Sequence, residues 1–475
     1  MQLKLKVNGV EHVVDMSDAE MTLLDFLRER VGSKDVKCGC NKGYCGSCTV
    51  IVNGINKKSC SLKIKNIDGA VIVTASGINS PKLSKTSRNI HEHGAVQCGF
   101  CFPGIACSLE SKLSGIENPT ETDIKNALSG HICRCTGYIP IIESLTKNDP
   151  FITAKDDKYI SIGKSPVRPD SEPKLNGSAV YADDIDVPGM LHVAVLRSSH
   201  AHANIVSIDP SEARKARGVA MVITHAELPG AKCFGIITHD QPVLCSDRVR
   251  FRGDALALVV AGTRKQAEDA KKLIKVEYEK LDAICNSADA LALNAPAIHE
   301  GGNAYQDIRI RSEKKAGNYF TPEFISVSGN FNTAAVEHAY MEPECSVSFY
   351  GENEGLPEIT VHSASQNIHA DRSEIAEILG IPEERVNIEF TYAGGGFGGK
   401  EDLTTQPYSA IAALLTKRTC KYGFTREESL LCSTKKHPFD IKITLSSDKN
   451  GRLAAIKVDA ISDIGPYASL SQIVL

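Results

Sequence analysis

Two short segments, Leu3–Val7 and Val10–Val14, alternate apolar and polar residues on either side of Asn8-Gly9. That dipeptide accepts the positive φ angles of a two-residue turn, so the pattern predicts a hairpin. Thr22, with Asp25 three residues on, has the chemistry of a helix cap. Leu23, Leu24, Leu27 and Val31 then recur at helical spacing and predict a helix across the hairpin. Thr49–Val52 runs into Asn53-Gly54, a further strand and turn, so residues 1–76 read as a ferredoxin-sized sheet with one helix. Residues 77–150 change to helical patterning. Residues 101–113 carry apolar positions three and four apart, and Thr120 and Asp123 give cap chemistry after Pro119 for a helix that Gly130 ends.

Residues 146–174 are rich in Lys, Asp, Ser and Pro, which predicts a solvated linker over 151–174. Beyond it, β-branched runs at 193–196, 219–223, 256–260 and 274–278 alternate with helical stretches such as 266–273. Residues 175–310 therefore read as a mixed α/β unit. A third unit, 325–475, shows a strand at 358–362, a helix at 373–379, a strand at Val386–Phe390 and a glycine run at 394–399. No internal repeat or low-complexity tract interrupts this α+β multidomain plan.

The 475 residues suffice for several domains of about 150 residues each. Their 54 Lys+Arg against 58 Asp+Glu leave a charge of −4, so no basic footprint for nucleic acid or an anionic membrane is expected. The opening Met1-Gln2-Leu3-Lys4-Leu5-Lys6-Val7 contains no apolar signal core, and no run of roughly 18 apolar residues predicts a membrane span. A cytoplasmic protein is expected. Of the 16 cysteines, 10 fall within the first 135 residues, and in a reducing compartment such clustering points to metal ligands or redox groups.

Cys40, Cys45, Cys48 and Cys60 form C-x4-C-x2-C-x11-C, whose first three members have the plant-type 2Fe-2S spacing. Gly39, Gly43 and Gly46 would let backbone N–H groups approach the sulfurs. Cys38 breaks the spacing and is excluded; a zinc knuckle or buried thiols are the alternatives for the set. Cys98, Cys101, Cys133 and Cys135 form a second set, C-x2-C followed after 31 residues by C-x-C. Alone it leaves zinc open; beside the first set it reads as a second 2Fe-2S cluster, with Cys107 as core packing. Two one-electron centres in series can drain a two-electron oxidation.

Residues 394–401, Gly-Gly-Gly-Phe-Gly-Gly-Lys-Glu, nearly spell a phosphate-binding loop before an expected helix, but Glu401 stands where Ser or Thr would coordinate magnesium. A close backbone approach to a large cofactor is the better reading, with Glu401 free for substrate; a plain turn is the alternative. Gln366 follows a strand end, where α/β proteins meet ligands. His200 and His202 cannot share a helix face, and His338 with Glu342 precedes Pro343, so both pairs read as structural.

Taken in order, these motifs resemble the molybdenum hydroxylases, the family of xanthine dehydrogenase and aldehyde oxidoreductase. The resemblance is carried by residues 39–50, 97–104, 133–138, 177–185, 197–203, 338–343, 394–400 and 426–428. It implies a β-grasp ferredoxin domain, a four-helix 2Fe-2S domain, an α/β hammerhead domain and part of an α/β molybdopterin-binding domain. The implied cofactors are two 2Fe-2S clusters and a molybdopterin-type molybdenum cofactor. Gln366 matches a glutamine that bonds an oxygen ligand of molybdenum. Phe397, between Gly396 and Gly398, matches a loop residue whose backbone contacts the metal centre, and Cys135 a cluster ligand beside the pterin. Glu401 resembles the glutamate of purine-oxidising members, which implies a purine-like N-heterocycle hydroxylated with water as oxygen source.

The linker leaves no room for the family's flavin domain, so no FAD is expected. A separate electron-acceptor protein or flavin subunit is expected instead. The family's general-base glutamate falls beyond residue 475, and a homodimer or larger oligomer is expected of the complete enzyme. Aldehyde oxidation, or a non-catalytic iron-sulfur electron-transfer subunit, are the alternatives.

Overall fold

A computed structural model describes residues 3–147, 162, 166–311 and 319–474. The N-terminal hairpin forms as predicted: Leu3 pairs with Val14 and Val7 with Val10, and Asn8 and Gly9 take φ of +47° and +89°. Val71–Val73 lies parallel to Leu3–Val7 and antiparallel to Thr49–Val52, giving a five-stranded sheet with Val10–Val14 and Ile55–Lys58 at its edges. Thr22 Oγ1 accepts the Asp25 N–H at 3.1 Å and starts the helix Leu23–Phe26, which continues through Leu27–Val31. Leu23, Leu24, Phe26 and Leu27 close over Leu5, Val50 and Ile72 on the sheet.

Four helices follow, Lys85–Glu92, Phe102–Lys112, Glu121–Leu128 and Ile139–Thr146, around Ile90, Phe102, Ile105, Leu109, Ile124 and Ile141. The capping box of Thr120 with Asp123 is present, although the helix stops at Leu128, two residues before Gly130. Most of the expected 151–174 connection lies outside the described residues. Its described end is not solvated chain: Ser171–Asn176 is a helix, and Leu175 enters the core of the four-helix unit. Low-hydropathy composition conceals this because the helix buries only Ser171, Lys174 and Leu175.

The stretches 175–310 and 325–475 share one seven-stranded sheet, in the order Val386–Phe390, Leu356–Ser363, Cys345–Asn353, Cys420–Gly423, Leu191–Arg197, Ala255–Ala261, Val219–Ile223. The junction is the parallel pairing of Cys420 with Leu191 and Lys421 with His192. One core serves both: Val193, Leu258 and Val260 pack with Ile359, Val361, Ile411 and Tyr422. The helix expected at 373–379 is longer, Ile368–Leu379, with Asn367 as its cap. A separate three-stranded sheet, Ile325–Thr333, Phe439–Ser447 and Leu453–Ser462, aligns Val327 with Leu445 and Ile456 on one exposed face. Among the described residues no helix is long and apolar enough to cross a membrane.

Candidate functional site

The loop before Thr49–Val52, carrying Cys40, Cys45 and Cys48, and the turn Ser59–Ser61, carrying Cys60, bring four cysteines together in two pairs. Cys45 donates to Cys40 and holds the Cys40 thiol down to about 4, helped by backbone N–H groups of Cys45, Lys42 and Tyr44. The Lys42 and Cys45 amides each reach the Cys40 sulfur at 3.4 Å. Cys48 donates to Cys60 in the same way, lowering Cys60 to about 6. Cys38 is turned towards the sheet core, and burial pushes its thiol up to about 12.

The second set pairs likewise. Cys135 is lowered by a bond from Cys98, and Cys133 is lowered to about 6 by a bond from Cys101. Thr136 Oγ1 donates to the Cys133 sulfur at 3.1 Å. Tyr138 OH accepts the Cys133 N–H at 3.0 Å and donates to the His131 carbonyl at 3.1 Å, fixing the C-x-C turn. Cys107 is fully buried on the helix Phe102–Lys112.

Among the described residues no group of three or more His, Cys, Asp or Glu side chains is arranged to hold a single metal ion. Two-plus-two pairing is what a two-iron cluster needs, each iron taking two thiolates, whereas tetrahedral zinc needs four donors about one point. The donor sets fit 2Fe-2S clusters.

The two sets are close neighbours. Ile132 N–H donates to the Cys45 carbonyl at 2.9 Å, and one apolar cluster gathers Cys40, Cys45 and Cys98 around Phe100 and Tyr181. Tyr181 OH donates to the Cys98 carbonyl at 2.7 Å, and its ring meets Phe100 edge-on at 5.2 Å.

Three residues past the end of the strand Leu356–Ser363, Gln366 reaches the glycine run. Its Oε1 accepts the N–H groups of Gly398 at 3.1 Å and Lys400 at 3.2 Å, and its Nε2 donates to Glu401 at 3.4 Å. A β-carbon on Gly396 would stand 2.2 Å from Gln366 Oε1, so any larger residue would push the Gln366 amide off the loop. Phe397 takes φ of +58° and leaves its ring 48% exposed, 5.8 Å from the Arg134 guanidinium next to Cys135. Gln366, Gly396, Phe397, Gly398 and Glu401 thus share one rim, which Arg134, the residue before Cys135, meets through Phe397. The helix expected directly after the loop begins only at Gln406, so the loop is no helix-anchored phosphate cradle.

Beneath the rim lies a pair that sequence reading left aside. Glu342 Oε2 accepts both the Gly394 N–H and the Lys400 ammonium at 2.7 Å, with Glu342 and Lys400 only 1% and 4% exposed. One carboxylate therefore ties both ends of the glycine run. The signal was present as a charged residue at each end of two motifs, but spacing alone does not pair them. His338 Nδ1 is buried under the same loop with no hydrogen-bond partner among the described residues, and a β-carbon on Gly399 would stand 2.8 Å from it. His202 Nδ1 bonds the Asp282 carbonyl at 2.7 Å and His200 packs on Tyr278 at 4.7 Å, both structural roles.

Four family models match the chain in succession: a 2Fe-2S iron-sulfur cluster binding domain over residues 5–68 and a [2Fe-2S] binding domain over 74–146. The aldehyde oxidase and xanthine dehydrogenase a/b hammerhead domain matches 176–282, and the molybdopterin cofactor-binding domain matches 299–475. The aldehyde oxidoreductase of Megalodesulfovibrio gigas is 31% identical over 506 residues, covering all of this chain and 55% of that protein. The nicotinate dehydrogenase large molybdopterin subunit of Eubacterium barkeri is 39% identical over 317 residues, 67% of this chain and 74% of that subunit. The solved aldehyde oxidoreductase from Desulfovibrio gigas superimposes with a TM-score of 0.92 at 30% identity, over 100% of this chain and 55% of that one. The chain thus spans about half the length of the aldehyde oxidoreductases it matches. With two 2Fe-2S domains, a hammerhead domain and a molybdopterin-binding domain in that order, the chain belongs to the molybdenum hydroxylase family, alongside xanthine dehydrogenase and aldehyde oxidoreductase.

Proposed function

We propose that the chain works in a hydroxylase that oxidises a purine-like N-heterocycle of xanthine or hypoxanthine type, with water as oxygen source. Cys40, Cys45, Cys48 and Cys60 hold one cluster and Cys98, Cys101, Cys133 and Cys135 the other, a reading supported by their two-plus-two pairing. When bound, the molybdenum cofactor supplies the oxygen and two-electron chemistry that side chains lack. The chain's own part is to hold and orient. Gln366 fixes the glycine run through its carbonyl oxygen, while Gly396, Phe397 and Gly398 bring bare backbone to the rim.

Glu401 carries the substrate reading. Its carboxylate sits on that rim, 3.4 Å from Gln366 Nε2, where it can accept a ring N–H that a simple aldehyde does not offer. Likeness to a nicotinate dehydrogenase subunit points the same way, nicotinate being an N-heterocycle. Aldehyde oxidation is the second reading, favoured by the aldehyde oxidoreductase match over the whole chain. Electrons pass to a separate acceptor protein or flavin subunit, and the assembled enzyme is a cytoplasmic homodimer or larger oligomer. In the complete enzyme Glu401→Ala should cut purine kcat/KM by about ten- to a hundredfold, the worth of a charge-assisted hydrogen bond, and spare aldehyde turnover. Equal loss on both substrates would overturn the purine reading.

A further inference from the structure

Each cysteine set has a buried lysine of its own that the proposed reaction does not use. Lys37, 1% exposed, precedes Cys40 by three residues, and its ammonium lies 4.7 Å from the centre of the Tyr181 ring, which packs with Cys40, Cys45 and Cys98. Lys174, 5% exposed, donates at 2.9 Å to the carbonyl of Gln97, the residue before Cys98. A β-carbon on Gly99 would stand 2.5 Å from Lys174 Cβ, so the lysine stem lies directly against the Cys98–Cys101 turn.

Neither charge is fully cancelled. Lys37 bonds Asp184 at 2.6 Å with Asp35 a further carboxylate acting on it, but Arg28 shares Asp184 at 3.0 Å, and Arg28, Lys421 and Arg264 all act on Asp183. Four cations thus meet three carboxylates. Lys174 bonds Asp170 at 2.6 Å, and Arg168 shares that carboxylate at 2.9 Å, two cations against one. A surplus positive charge in a poorly solvated position acts strongly on any charge change nearby.

We propose that Lys37 and Lys174 are positioning charges that set the reduction potentials of the two clusters, Lys37 for the Cys40 set and Lys174 for the Cys98 set. This rests on the assignment of both sets to 2Fe-2S clusters. Reduction adds one electron to a cluster, and a fixed cation favours that reduced form and raises its potential. Transfer between the sets oxidises one cluster by one electron and reduces the other by the same electron. The difference between the potentials is then tuned by two residues independently.

The test is a redox titration of the iron-loaded 475-residue chain followed by electron paramagnetic resonance, with a Cys60→Ser variant assigning each signal to its set. Lys37→Met should lower the midpoint of the Cys40-set signal alone, changing its reduced-to-oxidised ratio at a fixed potential about tenfold. That is about 59 mV for one electron. Lys174→Met should do the same to the Cys98-set signal alone, and Lys37→Arg and Lys174→Arg should restore each. Asp184→Asn and Asp170→Asn, which remove negative charge without shortening either lysine, should shift the respective midpoints the opposite way and serve if a methionine variant does not fold. Midpoints that stay put, or move together whichever lysine is changed, with iron content intact, would overturn the proposal. Absence of both signals in the unaltered chain would overturn the cluster assignment beneath it.

Discussion

Asp371 and Glu374, three residues apart on the helix Ile368–Leu379, are carboxyls that burial pushes up to about 7 each. Unfolded, they would titrate near about 4. Between those values the folded chain holds protons that the unfolded chain has lost, so the stability they contribute is complete below about pH 4 and disappears as pH rises through 7. The Asp371 charge adds to the rise at Glu374. Asp371→Asn should therefore flatten the fall in Tm between pH 5 and 8 and raise stability at pH 8 by about 1–3 kcal/mol. Thermal melts across that range check it, and an unchanged slope would refute it. At the same scale, Lys37 and Lys174 were invisible in the sequence, where they are two of 54 Lys and Arg residues. Only folding shows that they are buried.

Gly104 joins two elements. It lies inside the helix Phe102–Lys112, where alanine would normally be favoured by about 1 kcal/mol. Yet a β-carbon there would stand 2.3 Å from the Gly46 carbonyl oxygen of the first cysteine loop, and backbone cannot yield as a side-chain tip can. Overpacking of about 1–3 kcal/mol should win, so Gly104→Ala should destabilise the chain in a denaturant melt and weaken the seam between the two cysteine sets. A more stable variant would contradict this contact. Elements built from local chemistry were legible in the sequence: Asn8-Gly9 and Asn53-Gly54 mark both turns, and Thr22 and Thr120 both cap helices. The joining of 175–310 with 325–475 was not. Cys420–Gly423 pairs with Leu191–Arg197 from the other stretch, far away in sequence, so no periodicity announces a shared sheet. The helix Ser171–Asn176 was missed because a polar composition hides three inward-facing residues.

Across the whole molecule the two cysteine sets and the glycine run are neighbours, the first cysteine loop also touching the third unit through Arg426, which bonds the Gly39 carbonyl at 3.1 Å. The glycine run meets the helical unit where Phe397 faces Arg134 and where a β-carbon on Gly394 would touch Phe100 at 3.1 Å. The helical unit in turn meets the first cysteine loop through Ile132 and Tyr181. The cysteine spacings and the glycine run were readable along the chain, but their juxtaposition was not, because it depends on the Glu342–Lys400 tie and on Tyr181 crossing from another domain. The most direct measurement of this account is the metal content of the purified chain together with its electron paramagnetic resonance spectrum after reduction. About four irons per chain and two distinguishable cluster signals are expected. Zinc in place of iron, or a single signal with both cysteine sets intact, would contradict it.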